Sequence, residues 1–536
     1  MSSKTLFLSC LAVLLFNGSR GANILAIFSF PAPSHLIVEM SMAKVLAENG
    51  HNVTVVTSLK PHVTHRNLNH IYVPLTEKEH AAHEASIANM TERDNSNLIT
   101  ALFHMRNEIY IVNNINFNVM KNQRVRDLYE NKDNKFDLVM VGFCFNNFQI
   151  GIAQKLKVPV VVATSMFPSK IFDSMLGGIP TQSYVPSMFH SIEKGQVMSL
   201  LQRIKNYQTI SMIETIRCLI DMDNARYYEK LYGDDPTMPK YEDLNKNVSL
   251  VLFNSHSLSE GPIRPNFPAA IEVGGIQIKE TPDPLPKPIA DFLQNATQGA
   301  ILLSLGTHVK GAYVKPETIA KMFNVLSKLK QKVIWKWEDL DKTPGKSDNI
   351  LYSKWLPQDD ILAHPNIKLF INHAGRGGIT ESQFHGKPML SLPVFADQPG
   401  NAAKMVKDGF GLSMSLLTLE EKPFHENIKE VLENPQYTEK VKAFSQLFRD
   451  RPLTARQTVL YWVEYVLRHH GAAHLQSPLV HMSFIAANNL DIYALLISFI
   501  VVIWFLLKLV LKFVYENISG KWKSGTIAKP RKLKSI

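Results

Sequence analysis

The stretch FINHAGRGGITESQF, residues 370–384, reads as a buried strand, a glycine-rich turn and the first turns of a helix. Backbone N–H groups exposed at such a turn, with the positive end of the helix dipole behind them, make a site for an anion. Glycines let the backbone approach a phosphate closely, and His373 adds a side-chain donor beside it. The run Gly375 to Thr380 is G-x-G-x-x-T and lacks the third glycine of a dinucleotide fingerprint. The nearest downstream acid, Glu381, lies on the same helix rather than about 20 residues further on. A nicotinamide or flavin enzyme is therefore disfavoured.

Outward from this turn, the second half repeats short apolar, β-branched runs: AILLSLGT (300–307), QKVIWKW (331–337), NILYSKWL (349–356), IKLFINHA (367–374) and PMLSLPV (388–394). The first half does the same with NILAIFSF (23–30), HNVTVVTS (51–58), FDLVMVGF (136–143), VPVVVATS (158–165) and VSLVLFNS (248–255). Between the first two of these, HLIVEMSMAKVLAENG has helical spacing and stops at Gly50. Near-continuous apolar strands separated by helices predict parallel sheets covered on both faces. The proline-rich KETPDPLPKP (279–288) reads as a linker. Two doubly wound α/β domains follow, facing each other across a cleft, with ligands beyond the carboxyl ends of the strands.

The ends carry other signals. Residues 1–22 read as a secretory signal peptide: Lys4, an apolar run from Thr5 to Phe16, and small residues at Gly21 and Ala22. Ile492 to Leu507 is uncharged and extends to Tyr515, long enough for one membrane span. From Lys508 onward there are eight Lys/Arg against one acid, Glu516, so the positive-inside rule predicts a cytoplasmic tail and a luminal body. The whole chain is +11; removing the tail and the leader leaves the body close to neutral, which argues against a nucleic-acid surface. Lys532 and Lys534 match the dilysine pattern by which coat proteins return membrane proteins to the endoplasmic reticulum. Luminal sequons stand at Asn52, Asn89, Asn247 and Asn295. Outside the leader only Cys144 and Cys218 remain, too few for a disulfide scaffold or zinc site.

The longer block WLPQDDILAHPNIKLFINHAGRGGITESQFHGKPMLSLPVFADQPGNA, residues 355–402, resembles the signature of animal membrane-bound UDP-glycosyltransferases of the UDP-glucuronosyl and UDP-glucosyl type, with an insect-like cast. The similarity runs over essentially the whole chain. It implies the GT-B architecture: two Rossmann-like domains, the first binding a small lipophilic, hydroxyl-bearing acceptor and the second a UDP-sugar. The expected division is 1–22 leader, 23–278 acceptor domain, 279–290 linker and 291–455 donor domain. It continues with 456–490 C-terminal helix and juxtamembrane segment, 491–515 membrane span and 516–536 basic tail.

The resemblance also assigns roles. Trp355 would stack on uracil, and Gln358 would contact the nucleoside. His373 and the amides around Gly375, Gly377 and Gly378 would hold the diphosphate, with Ser304, Gly306 and Thr307 nearby and Arg264 approaching it. Glu381 would accept from ribose hydroxyls. Asp397 and Gln398 would bind sugar hydroxyls, with Asn401 beside them. Many relatives carry serine where Arg376 stands, and its guanidinium would reach phosphate or point to solvent. No cofactor and no metal are expected; the DMD at 221–223 and DLD at 339–341 read as chance. The expected partners are the UDP-sugar, the acceptor, membrane lipid and the retrieval coat. Association into like or unlike oligomers stays open.

His35 follows the first strand in SFPAPSHLIVEM, in the first turn of a helix, with Ser34 as the expected N-cap. In the family the matching histidine is the general base of an inverting transfer. Vertebrate relatives place an aspartate partner where this chain has Gly142, and Asp137, about 16 Å back along the strand, is too far to substitute. Three readings stay open. A water or one of Asn146 and Asn147 serves His35; a carboxylate from another loop replaces the missing one; or the protein binds UDP-sugars or lipophiles without much turnover. The acceptor pocket is expected along Asn67–Asn122 and residues 166–189, whose methionines and aromatics suit adaptable apolar binding.

Overall fold

A computed structural model describes residues 21–524 apart from 62, 93–97, 179–180, 188–196, 258–263 and 308. Most of the leader and the Lys532/Lys534 pair lie outside the described residues. The chain divides into two units, Met1–Ser477 and Pro478–Ile536.

The first unit is built on two parallel sheets. One runs in the order β3-β2-β1-β4-β5-β6-β7, with β1 Asn23–Phe28, β2 Asn52–Thr57, β3 Leu68–Tyr72, β4 Leu138–Gly142, β5 Val160–Thr164, β6 Val248–Phe253 and β7 Ala270–Glu272. The other is β10-β9-β8-β11-β12-β13, with β8 Ala300–Ser304, β9 Lys332–Lys336, β10 Ile350–Ser353, β11 Ile367–Asn372, β12 Met389–Ser391 and β13 Gly411–Ser413. All ten strands read from the sequence are present, trimmed by a few residues at their ends. The short edge strands β3, β7 and β13 were not signalled, because their residues mix polar and apolar types without a period. In both sheets the chain starts centrally, winds one way, then crosses back, so each has a switch point: between β1 and β4, and between β8 and β11.

The helices that matter to the site are α1 Pro33–Glu48, α2 Glu77–Glu92, α3 Leu98–Lys121, α4 Leu200–Tyr232, α5 Gln358–Ala363, α6 Arg376–Phe384, α7 Gln398–Lys407 and α8 Ala455–Arg468. Central strands are buried on both faces; every residue of β4, β5, β6 and β8 is inaccessible or nearly so. That explains their unbroken apolar runs. α8 returns to the first sheet: Val459, Val463 and Val466, each fully buried, join that sheet's core. Burial of each contributes about 1.5–3 kcal/mol. Its start is fixed by a capping box, Thr454 Oγ1 accepting from the Gln457 amide at 3.3 Å and Gln457 Oε1 from the Thr454 amide at 3.0 Å. The linker docks on α5, Lys279 reaching Asp360 at 2.6 Å and its amide reaching Asp359 at 2.9 Å.

In the second unit, α9 spans Leu490–Ser524 and contains the 30-residue stretch Leu490–Ser519, whose most apolar 18-residue window has a mean hydropathy of 2.8. It is long and apolar enough to cross a bilayer.

Candidate functional site

Sequence-predicted residues gather at the two switch points. On the second sheet, Ser304 ends β8 and His373 follows β11. The His373 ring lies in a slot between two glycines. A Cβ on Gly306 would sit 2.3 Å from His373 Cε1, and one on Gly375 2.3 Å from Nε2. Gly306 also takes a φ of +83°, a conformation L side chains rarely adopt. Gly375 is the N-cap residue of α6, and a Cβ on Gly377 would meet open space. The first-turn amides of α6 thus face outward with no side chain over Gly377, as an anion site requires. Ala374 and Ala396, in the loops after β11 and β12, both hold positive φ, 61° and 56°. Backbone strain of this kind persists where surrounding contacts fix it; here the Ala374 amide donates to Asn372 Oδ1 at 2.7 Å.

Around this turn the polar side chains are already paired. Gln358, first in α5, donates to Glu381 Oε2 at 2.6 Å. Burial, with Asp359 nearby, pushes the Glu381 carboxyl up to about 8 against that hydrogen bond. Asn401 Nδ2 donates to Asp397 Oδ2 at 2.7 Å and to the Ala374 carbonyl at 3.1 Å, tying the two strained loops together. Burial raises Asp397 above the usual carboxylate range, opposed by Asn401 and by the Arg376 charge. Gln398 spends its side-chain oxygen on the amides of Val394 and Phe395. Trp355 is 51% exposed, which leaves room for a stacked base. Thr307 is half-buried after β8.

Arg376 takes neither of the two expected directions alone. Its guanidinium lies 5.7 Å from the centre of Phe167, and its Nε points at the Asn254 carbonyl, 3.4 Å away, on the first sheet's side. Arg264 stacks on the same ring at 4.9 Å. The carboxyl ends of the two sheets therefore face each other across these two arginines. A second bridge lies further out, where Glu84 of α2 pairs with Lys310 and Ile87 enters the second sheet's core.

On the first sheet, His35 lies in the first turn of α1, but the N-cap residue is Ala32 and Pro33 comes first in the helix. Ser34 instead sits beside the imidazole, its Oγ 3.5 Å from Nδ1. The ring is half-buried and packs on Phe30 with centroids 4.6 Å apart. Burial holds it down to about 4, so it is neutral and able to accept a proton.

Neither asparagine beyond Gly142 is at hand to serve it. Asn146 accepts from the Cys144 amide and donates to the Gly142 carbonyl and Gln149; Asn147 donates to Asn245. Asn113 and Asn224 both donate to the carbonyl of Phe145, whose φ of 62° is strained, and a buried chain runs from Asn113 through Asn116 to Ser29 and Gln149. These amides build the loop and are used up by it. Asp137 is likewise engaged, accepting from the Asn23 amide at the far end of the sheet.

Sequence reading missed several contributors. Lys336, ending β9, donates to the Gly306 carbonyl at 2.9 Å and braces the turn after β8. Gln277, from the end of the first half, lies against Glu381. Glu39 fills the space over Gly142. In the DMD and DLD runs, Asp223 pairs with Arg106 and Arg226, Asp221 pairs with Arg217, and Asp339 accepts from the Asp341 amide. A cavity beside the first sheet is walled by Met166, Phe167, Ile171, Leu176, Ile210 and Phe267, among others. Described residues of 166–189 line it; Asn67–Asn122 and His35 do not, and α3 turns its buried side chains into the first sheet's core.

Residues 26–524 match the family described as UDP-glucoronosyl and UDP-glucosyl transferase. UDP-glycosyltransferase UGT5 of Dactylopius coccus is 30% identical over 516 residues, 96% of each chain. UDP-glucosyltransferase 2 of the same organism is 30% identical over 533 residues, 99% of this chain and 100% of its own. Among solved structures, a Polygonum tinctorium UDP-glucosyltransferase described as capable of glucosylating indoxyl superposes with a TM-score of 0.54 at 15% identity, covering 84% of this chain and all of that one. That likeness is one of fold.

Proposed function

The chain belongs to the UDP-glucuronosyl and UDP-glucosyl transferase family, and from that premise we propose an inverting transfer of glucose from UDP-glucose to a hydroxyl of a small lipophilic acceptor, with His35 as general base. The protein is a UDP-glycosyltransferase of GT-B fold; the base, the sugar and the acceptor class are the finer reading. The observation that carries it is His35 itself, held neutral in the first turn of α1 beside the β1–β4 switch point. The acceptor oxygen gives its proton to the imidazole and attacks the anomeric carbon, while UDP leaves from the opposite face with the bonding electrons. The α6 amides, His373 and Arg264 would take up the charge on the departing diphosphate without a metal. Trp355, Gln358 and Glu381 would hold the nucleoside, and Asp397, Gln398 and Asn401 the sugar.

A second reading, a luminal carrier that binds the donor without transferring it, draws its support from Gly142, which brings no carboxylate of its own to the base. Detergent-solubilised protein, offered UDP-glucose and UDP-glucuronate with a panel of phenols, separates these. Transfer from UDP-glucose that vanishes in His35→Ala supports the proposal; donor binding without transfer in wild type favours the carrier. The charge difference across α9 supports a luminal body and cytoplasmic tail, in the endoplasmic reticulum membrane; glycosylation at Asn89, Asn247 or Asn295 would test that orientation.

A further inference from the structure

Glu39 lies one turn after His35 on α1, and residues four apart share a helix face. Its side chain is 1% exposed, and Oε2 has no hydrogen-bond partner. A buried carboxyl without partners is costly and rare. The neighbouring backbone makes room for it: a Cβ on Gly142 would lie 2.3 Å from Glu39 Oε1 and 2.6 Å from Cδ. The carboxyl thus occupies the volume that any side chain at the end of β4 would take, beside the switch point where this fold places its chemistry. A side chain on Gly142 would have to displace the Glu39 carboxyl.

We propose that Glu39 is a positioning residue of the transfer step: its carboxylate, seated over Gly142, stabilises the His35 imidazolium formed as the acceptor's proton arrives. This rests on the reading of His35 as base. In the step the acceptor O–H bond breaks, its oxygen bonds the anomeric carbon, and the bond to UDP breaks with the electron pair leaving on phosphate. The proton ends on the imidazole and passes to solvent after product release. No hydrogen bond joins Glu39 to His35; the field of a carboxylate acts over one helix turn in a low-dielectric site. His35 shares the helix face of Glu39, and the Cys144 thiol on the loop after β4 lies within its field, as it does within that of Glu108 of α3. Burial raises Glu39 well above the usual carboxylate range and pushes Cys144 up to about 12, so the thiol supplies no charge at neutral pH.

The working form then has Glu39 ionised and His35 neutral. Since burial raises Glu39, the rate climbs as pH rises through the Glu39 ionisation, and the acid limb of the profile belongs to Glu39. Full-length, detergent-solubilised Glu39→Gln should be slowed about 10- to 100-fold in the plateau, with its acid limb moved to lower pH and UDP binding unchanged. Glu39→Ala with Gly142→Asp returns a carboxylate to the same space from the other side. It should recover at least tenfold over Glu39→Ala alone, with the limb again at higher pH. Gly142→Asp alone should be impaired, because two carboxyls then compete for one volume. Wild-type rate and an unmoved limb in Glu39→Gln overturn the proposal. If Glu39→Gln does not fold, as read by melting and UDP binding, the double variant decides: no recovery over Glu39→Ala overturns it. Transfer surviving in His35→Ala would instead remove the base reading beneath it.

Discussion

The donor side and the acceptor side of the cleft sit at equivalent switch points of similar sheets, yet they are built differently. On the proposed donor side, polar groups pair before any ligand arrives, Gln358 with Glu381 and Asp397 with Asn401, and His373 is slotted between two glycines. On the proposed acceptor side His35 has one weak polar neighbour, and Glu39, one helix turn on, has an orphaned oxygen. A rigid polar cradle suits a donor that is always the same molecule. A base left with few partners suits acceptors of varied shape, since only a hydroxyl and a proton need to be shared.

The largest expected effect breaks the comparison at its acceptor end. His35→Ala should lower the transfer rate by roughly 10²–10⁴, with UDP affinity by calorimetry unchanged; a comparable loss of UDP affinity would mean that the two sides are not separable. Next, Gly306→Ala should weaken UDP binding about tenfold or more, as a side chain at positive φ is strained and would push His373 from its slot. Glu381→Ala should weaken donor binding by about 1–3 kcal/mol, the loss of a hydrogen bond whose partner is left unsatisfied in a buried site. Glu381 also gives a pH signature. Its folded value of about 8 exceeds the ordinary 4.5, so the folded protein holds a proton that the unfolded chain has lost. Wild-type stability should therefore fall as pH rises from about 4.5 to about 8, and melting of Glu381→Gln should show a shallower fall, the part due to Glu39 and Asp397 remaining. The smallest effect sharpens the comparison: Gly377→Ala meets open space, so its melting temperature should hold while UDP binding drops if phosphate approaches that amide.

The donor side was legible because it is nearly contiguous. A strand, a glycine turn and a helix start are local signals, and most of the cradle lies between Trp355 and Asn401. The core strands were legible for the same reason, each being an apolar run. The acceptor side is assembled from β1, α1, the loop after β4, α3 and α4, so its buried amide network of Asn113, Asn116 and Asn224 gave no local pattern. Asn146 and Asn147 stood in the right loop, but Asn146 is spent on that loop's own backbone and Gln149, and Asn147 donates to Asn245. Glu39 did leave a trace: an acid inside the apolar run LIVEMSMA, where an amphipathic helix would put a core residue. Its meaning depended on Gly142, about 100 residues away.

The return of α8 to the first sheet has a consequence for how the protein is made. The leading domain's outer layer is completed by Val459, Val463 and Val466, which leave the ribosome about 200 residues after β6 and β7. Until then the first sheet and α1 present an uncovered apolar stripe, so that domain cannot finish folding ahead of its neighbour during vectorial synthesis. It also means the polypeptide passes between the domains twice, once through the linker docked on α5 and once before α8. The two sheets are thereby joined by two crossings of the chain rather than one, which ties the two switch points together.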